Sequence, residues 1–252
     1  ASAELLVTGD IDRTEEFARA DLELCRSADM PWVSNSYHAL GLVHFWRGRW
    51  QEALENLQEG ARLEAPGILA GWDWGHFFLA KAYIGEKDSA LAMLDEKKAD
   101  LPGAGRANTW GAWEMLLAVV EGLAVLGERE EAAKLYPLVV ESMSGGALCR
   151  WWYGPIDTVA GIAAACGGEW EKAEEHFQMA LRLAHELPHK IEQPEARRWY
   201  ARMLIDRDGP GDRDGPGDRD KARELLTEAI AMYRRIGMPK HVEMAEALLR
   251  EL

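Results

Sequence analysis

Along most of the chain apolar residues return every three or four positions. Leu54, Leu57 and Ala61 fall on one side of a helix, as do Ala173, Phe177, Ala180 and Leu181, with polar residues between them. Strand-like alternation is nearly absent, so the patterning predicts an all-α chain. A longer rhythm overlies the helical one. A phrase opens with glycine, has a small residue five places on, and a bulky apolar residue four places after that. It reads GRWQEALENLQEGA from Gly48, GEKDSALAMLDEKK from Gly85, GEREEAAKLYPLVV from Gly127 and GEWEKAEEHFQMAL from Gly168.

The small residues Ala53, Ala90, Ala132, Ala173 and, in a fifth copy, Ala222 are spaced by 37, 42, 41 and 49 residues. Periods in this range belong to stacked supersecondary units, each too small to bury its own apolar face. The glycines fit tight turns between helices, where a positive φ is tolerated, and the alanines mark close approach of two helices.

These residues resemble the tetratricopeptide repeat, a helix-turn-helix of about 34 residues with a W-LG-Y then A-F-A-P pattern. The copy near 34–67 supplies Tyr37, Leu40, Gly41 and His44, then Ala53, Leu57, Gly60 and Pro66, the proline one place late. The copy near 71–104 supplies Trp74, Phe77, Phe78 and Lys81, then Ala90, Leu94, Lys97 and Pro102. Phe78 and Lys97 stand where the family has small residues, so this helix pair is expected to be splayed or shifted. The copy near 113–146 supplies Leu116, Val119, Val120 and Leu123, then Ala132, Tyr136 and Val139. The copy near 154–187 supplies Ala160, Gly161 and Ala164, then Ala173, Phe177 and Ala180. The last, near 194–236, supplies Tyr200, Ala201 and Leu204, then Ala222, Leu226 and Ala229.

The resemblance implies one domain over 1–252, a right-handed superhelical solenoid with a partial repeat at 1–33 and a C-terminal capping helix at 239–252. In that helix Val242, Ala245, Leu248, Leu249 and Leu252 form an apolar stripe, entered through Gly237 and Pro239. The partial first copy, opening at Ala1, suggests a piece of a longer array.

The stretches LPGAGRANTWGAW, VEGLAVLGEREEAAKLYPLV and YRRIGMPKHVEMAEALL are also similar to the C-terminal repeat regions of large bacterial signalling ATPases, of the adenylyl-cyclase-linked or transcription-regulator type. That similarity implies a regulatory sensor or partner-binding arm, with an upstream ATPase domain as one partner. In the repeat family the first helices of successive copies line a concave groove. Carried over by position, the first copy's groove places are Asn35, His38, Leu42, Phe45 and Trp46, and the second's are Trp72, His76, Leu79 and Tyr83. The third copy gives Glu114, Leu117 and Glu121, the fourth Thr158 and Ile162, the fifth Arg198 and Arg202. The Lys and Asn clamp by which some members hold a C-terminal carboxylate is missing. Within GWDWGHFF, the stretch 71–78, Trp74 and Phe77 are expected to pack helices together, while Trp72 and His76 face the groove.

Composition narrows the partners. With 29 Lys and Arg against 43 Asp and Glu the formal charge is −14, which disfavours nucleic acid and anionic membrane surfaces. The three cysteines are far apart and form no CxxC pair, which suits a reducing cytoplasm. No run approaches the roughly 18 uninterrupted apolar residues of a membrane span, and the first residues lack the pattern of a signal peptide.

Three motifs that suggest chemistry read better as structure. His185, Glu186 and His189 match HExxH, but Pro188 disfavours the helical face that would aim both imidazoles at one zinc. GAGRAN at 103–108 follows a helix end, not a strand, and lacks the third glycine of a dinucleotide loop. In RDGPGDRDGPGDRD the carboxylates are spaced wrongly for a calcium loop, and the duplicated GPGDRD, 209–214 and 215–220, reads as an enlarged turn. Cys166 fits a small core residue better than a nucleophile. No catalytic residue, metal or cofactor is assigned. The expectation is a non-catalytic scaffold recognising a protein or peptide, the alternative a small-molecule sensor that uses the aromatic groove.

Overall fold

The computed structural model describes residues 8–144, 149–150, 154–187, 189–208 and 217–252. They are almost entirely helical. In chain order the helices are α1 (Ile11–Ser27), α2 (Val33–Trp46), α3 (Trp50–Leu63), α4 (Trp72–Ile84), α5 (Lys87–Lys97), α6 (Trp110–Val125), α7 (Arg129–Lys134) and α8 (Tyr136–Ser144). After them come α9 (Ile156–Cys166), α10 (Trp170–Glu186), α11 (Glu192–Asp208), α12 (Asp218–Ile236) and α13 (Pro239–Arg250). The departure from the all-helical expectation is a two-residue antiparallel ladder ahead of α9, with Cys149 opposite Pro155 and Arg150 opposite Gly154. No helix among the described residues is long and apolar enough to cross a membrane.

Local chemistry sets the helix ends. Asp10 and Thr109 cap α1 and α6 by accepting hydrogen bonds from the amides of Arg13 and Ala112, at 3.0 and 3.2 Å. Gly85, which opens one of the repeated phrases, ends α4 with φ of 87°, a conformation that costs a residue with a Cβ. The other phrase-opening glycines also have positive φ. Pro137 splits what would be one helix into α7 and α8, because it has no amide to continue the ladder.

The five spaced alanines, Ala53, Ala90, Ala132, Ala173 and Ala222, have no exposed surface. Each sits where the second helix of a pair meets the first. The matching small residues explain the closeness of approach: a Cβ on Gly41 would lie 2.5 Å from Leu57 Cγ, and one on Gly161 would lie 2.9 Å from the Phe177 ring. Phe78 replaces such a small residue. It is fully buried, stacked 5.8 Å from Trp74, and room for it comes from Gly122 on α6. These side chains, with Ala90, Met115, Val119, Leu123 and Ala132, form a separate small core. Beside it a groove of about 510 Å³ opens between α5 and the α6–α7 corner, lined by Leu91, Leu94, Val119, Leu123 and Leu135.

Consecutive helices pack on one another, and the contacts run in a circuit. Those between α2 and α4, α4 and α6, α6 and α9, and α9 and α11 enclose the main core, and α13 packs on α12 and returns to α2. The return is tight: Gly48 lies against Lys240 and Pro239, and Gly237 against the Arg47 guanidinium.

Candidate binding site

The circuit carries the expected groove residues inward. His38, Leu42, Phe45, Trp46, Trp72, His76, Leu79, Tyr83, Glu114, Leu117, Glu121, Thr158, Ile162 and Arg198 are buried, while Asn35 and Arg202 are half-buried. Most of them face one another instead of lining open space. Trp74 and Phe77 also pack into core, Trp74 in the small core and Phe77 against the main one, so both halves of GWDWGHFF are turned inward.

Two polar systems run through this interior. In the first, His38 Nδ1 lies 2.6 Å from Asp73 Oδ1, and the His38 ring lies 4.4 Å from Trp72 and 4.6 Å from His76. Glu64 supports it by accepting the amides of Gly71 and Asp73, each at 2.8 Å, at the start of α4. Gly71 has no side chain to cap that helix, and the carboxylate does so instead.

The second system joins α4, α6, α11, α12 and α13. Tyr83 donates to Glu121 at 2.6 Å, and Arg198 donates to Tyr83 at 2.9 Å, to Glu195 at 2.7 Å and to Tyr233 at 3.2 Å. Tyr233 in turn donates to Glu195. His241 is fully buried with its ring 5.0 Å from Trp46 and 5.5 Å from both Phe45 and Tyr233, and its Nε2 lies 3.8 Å from Glu195. Burial pushes its pKa down to about 4, so it is neutral at pH 7. Burial also works to raise the Glu195 carboxyl, but the Arg198 charge and hydrogen bond, with the Tyr233 hydrogen bond, outweigh it and hold the group below its ordinary range. Burial and then the neighbouring carboxylates push Tyr83 and Tyr233 well up, so both phenols stay protonated and act as donors. Between the two systems a cavity of about 10 Å³, bordered by Leu42, Phe45, His76, Leu79, Glu121 and Glu195, has the size of a single water.

Open space remains at one end of this interior. A cleft of about 410 Å³ lies among α4, α6, α9, α11 and α13. Its walls are mostly apolar, with Val125, Ile162, Trp199, Met203, Met244 and Leu248, and its polar groups are Tyr83, Arg129, Arg198, Arg202 and Asp206. Asp206 accepts from Arg202 Nε at 2.8 Å and from Arg129, whose other nitrogen donates to the Ala165 carbonyl at 2.8 Å. Of the expected groove residues, the cleft brings together Tyr83, Ile162, Arg198 and Arg202. It adds Arg129, Trp199 and Asp206, which the repeat positions do not single out. The spacing of Arg202 and Asp206, four apart on one helix, was visible. Arg129 stands in an acidic stretch, GEREE, that reads as a solvated face.

The other sequence motifs resolve differently. Helix α10 ends at Glu186, and His189 lies beyond it, with its amide bound to the Ala184 carbonyl, so His185 and His189 do not share a helical face. Among the described residues no group of three or more His, Cys, Asp or Glu side chains could hold a metal ion. The 103–108 loop closes on itself: Asn108 accepts from the Gly103 amide and donates to its carbonyl, both at 3.1 Å, and the Gly105 amide is taken by Glu141 at 2.9 Å. Most of the duplicated GPGDRD segment lies outside the described residues. Its flanks are tied by Arg207, which donates twice to Asp218 at 2.8 Å. Cys166 borders the cleft, half-buried, and burial pushes its thiol up to about 11, the wrong direction for a nucleophile at pH 7.

A scan against protein-family models finds none that matches this chain, and a search of the curated proteins finds no match.

Proposed function

We propose that the chain is a non-catalytic recognition module of tetratricopeptide type, in which an end cap closes the first-helix face and leaves a cleft for a small ligand. The observation that carries this reading is the cleft itself. At about 410 Å³ it falls within the roughly 300–1,000 Å³ of small-molecule sites, and it combines apolar walls with a few convergent polar groups. An open peptide groove would need the first-helix aromatics free, and here they are spent on core. As a sensor arm of a larger signalling ATPase, such a module would report ligand occupancy through α11 and α13, which border both the cleft and the interior network.

The test is to fill the cleft. Met244→Trp places bulk on the cleft wall, and ligand screening by thermal shift then compares it with the unaltered protein. A ligand that stabilises the unaltered chain and not the filled one, at equal intrinsic melting temperature, supports the reading. Equal stabilisation of both moves the site elsewhere.

A second reading, recognition of a partner helix, is favoured by the groove of about 510 Å³ beside α5, where Leu91, Leu94 and Leu135 are rimmed by Asp95, Lys98, Glu131 and Lys134. Loss of a protein partner on Leu94→Asp, with small-ligand binding intact, would select it.

A further inference from the structure

Asp206 occupies the cleft in the way a bound anion would. Among the described residues it is the one carboxylate lining a space that three arginines also line, and two of those, Arg129 and Arg202, converge on it. The third, Arg198, is already matched by buried Glu195. With Arg198 set aside, two lining guanidinium charges face one lining carboxylate among the described residues, although the chain as a whole carries −14. Glu251 lies 3.5 Å from Arg202 at the rim and is about as exposed as the arginine, so a ligand head at Arg202 competes with it as well as with Asp206.

The pairs with Asp206 are easily exchanged. The side chains of Arg129 and Arg202 are 41% and 40% exposed, and ion pairs at such exposure contribute little, about 0–1 kcal/mol, to holding the chain together. A guanidinium has five donors in a planar fork, so a ligand carboxylate can take over donors that Asp206 gives up. Beyond the charged end the wall changes character. Ile162, Met203, Met244 and Leu248 continue from it, and the flexible thioethers suit a body of variable shape. Trp199, which also lines the cleft, is about nine-tenths buried and its indole Nε1 has no hydrogen-bond partner.

We infer that the cleft takes a small amphipathic carboxylate, its head between Arg129 and Arg202 in competition with Asp206, its apolar body along the α9, α11 and α13 wall. This rests on the reading of the cleft as the binding site. The head and the body make separable demands. Salt weakens the first and leaves the second, and removing Asp206 frees both arginines for the ligand.

The experiment titrates the full chain with decanoate, decanol and decyltrimethylammonium, followed by tryptophan fluorescence and calorimetry. Decanoate is expected to bind at least tenfold more tightly than decanol, and the cation not at all. Arg129→Gln and Arg202→Gln should each weaken decanoate by roughly fivefold or more and leave decanol unchanged, while Asp206→Asn strengthens decanoate. Thermal melting of each variant separates lost binding from lost fold, and Arg202→Lys, which keeps the charge, should fall between the two. If decanol matches decanoate and the arginine variants bind like the parent, the anion inference fails while the cleft survives as an apolar site. If none of the three probes binds the folded protein, both fail. If Asp206→Asn weakens decanoate, the carboxylate positions the arginines instead of competing for them, and the competition is overturned.

Discussion

A methyl group on Gly122 would lie 2.5 Å from Phe78 Cε1, and Phe78 is fully buried and stacked on Trp74. Gly122→Ala should therefore destabilise the fold by about 1–3 kcal/mol in urea unfolding, although alanine is the better helix former. Phe78→Leu in the same chain should recover part of that loss, and a double-mutant cycle with no coupling would place the strain elsewhere. A second residue-scale effect concerns acid. With its pKa pushed down to about 4 by burial, His241 stays neutral in the fold, whereas in the unfolded chain it titrates near about 6.5. Below pH 6.5 the unfolded state binds a proton that the fold refuses, so stability falls as pH drops from about 6.5 toward 4, by about 3 kcal/mol in all. Glu195, held low chiefly by Arg198 against the cost of burial, adds in the same direction, since its contribution is lost as pH falls through its lowered value. Denaturant midpoints measured across that range should show the slope in the parent and a flatter line in His241→Phe. An unchanged slope would mean another group is responsible.

At the scale of elements, much of this molecule was legible. The phrase-opening glycines and the spaced alanines marked the turns and the close contacts, because a tight turn needs a positive φ and a close approach needs a small side chain. Both are local demands, met by residue type. The break between α7 and α8 at Pro137 was not read from the sequence, where the repeated phrase ran through it. Less legible was the consequence of Phe78: the sequence shows a large residue in a small residue's place, but the space for it is made by Gly122, 44 positions on. The duplicated GPGDRD bears on the last helix pair. Since Arg207 ties to Asp218 and to Glu174 on α10, the ends of α11 and α12 are held without the intervening residues. Deleting 209–214 should leave the melting temperature within about 2 °C of the parent, because loop length enters stability only logarithmically. A large drop in a thermal melt would show that the segment packs on the body.

At the scale of the whole molecule, the return of α13 to α2 decides what is core and what is site. Truncation after Gly237 removes His241, Ala245 and Leu248, which should expose Phe45 and Trp46, speed hydrogen exchange in α2 and open one wall of the cleft. Unchanged protection in α2 would mean that the circuit is not energetically closed. The sequence by itself determined the helical character and the small residues at turns and crossings, since periodicity, turn chemistry and side-chain volume act over a few residues. It also named most of the residues that face inward. Only the tertiary structure decided that they are covered, because an apolar helical face reads the same whether water, a ligand or another helix lies against it. The Tyr83–Arg198 bond spans 115 residues and the Arg129–Asp206 pair spans 77. Contacts of that range depend on how the helix pairs curve back on one another, and no local pattern encodes the curve.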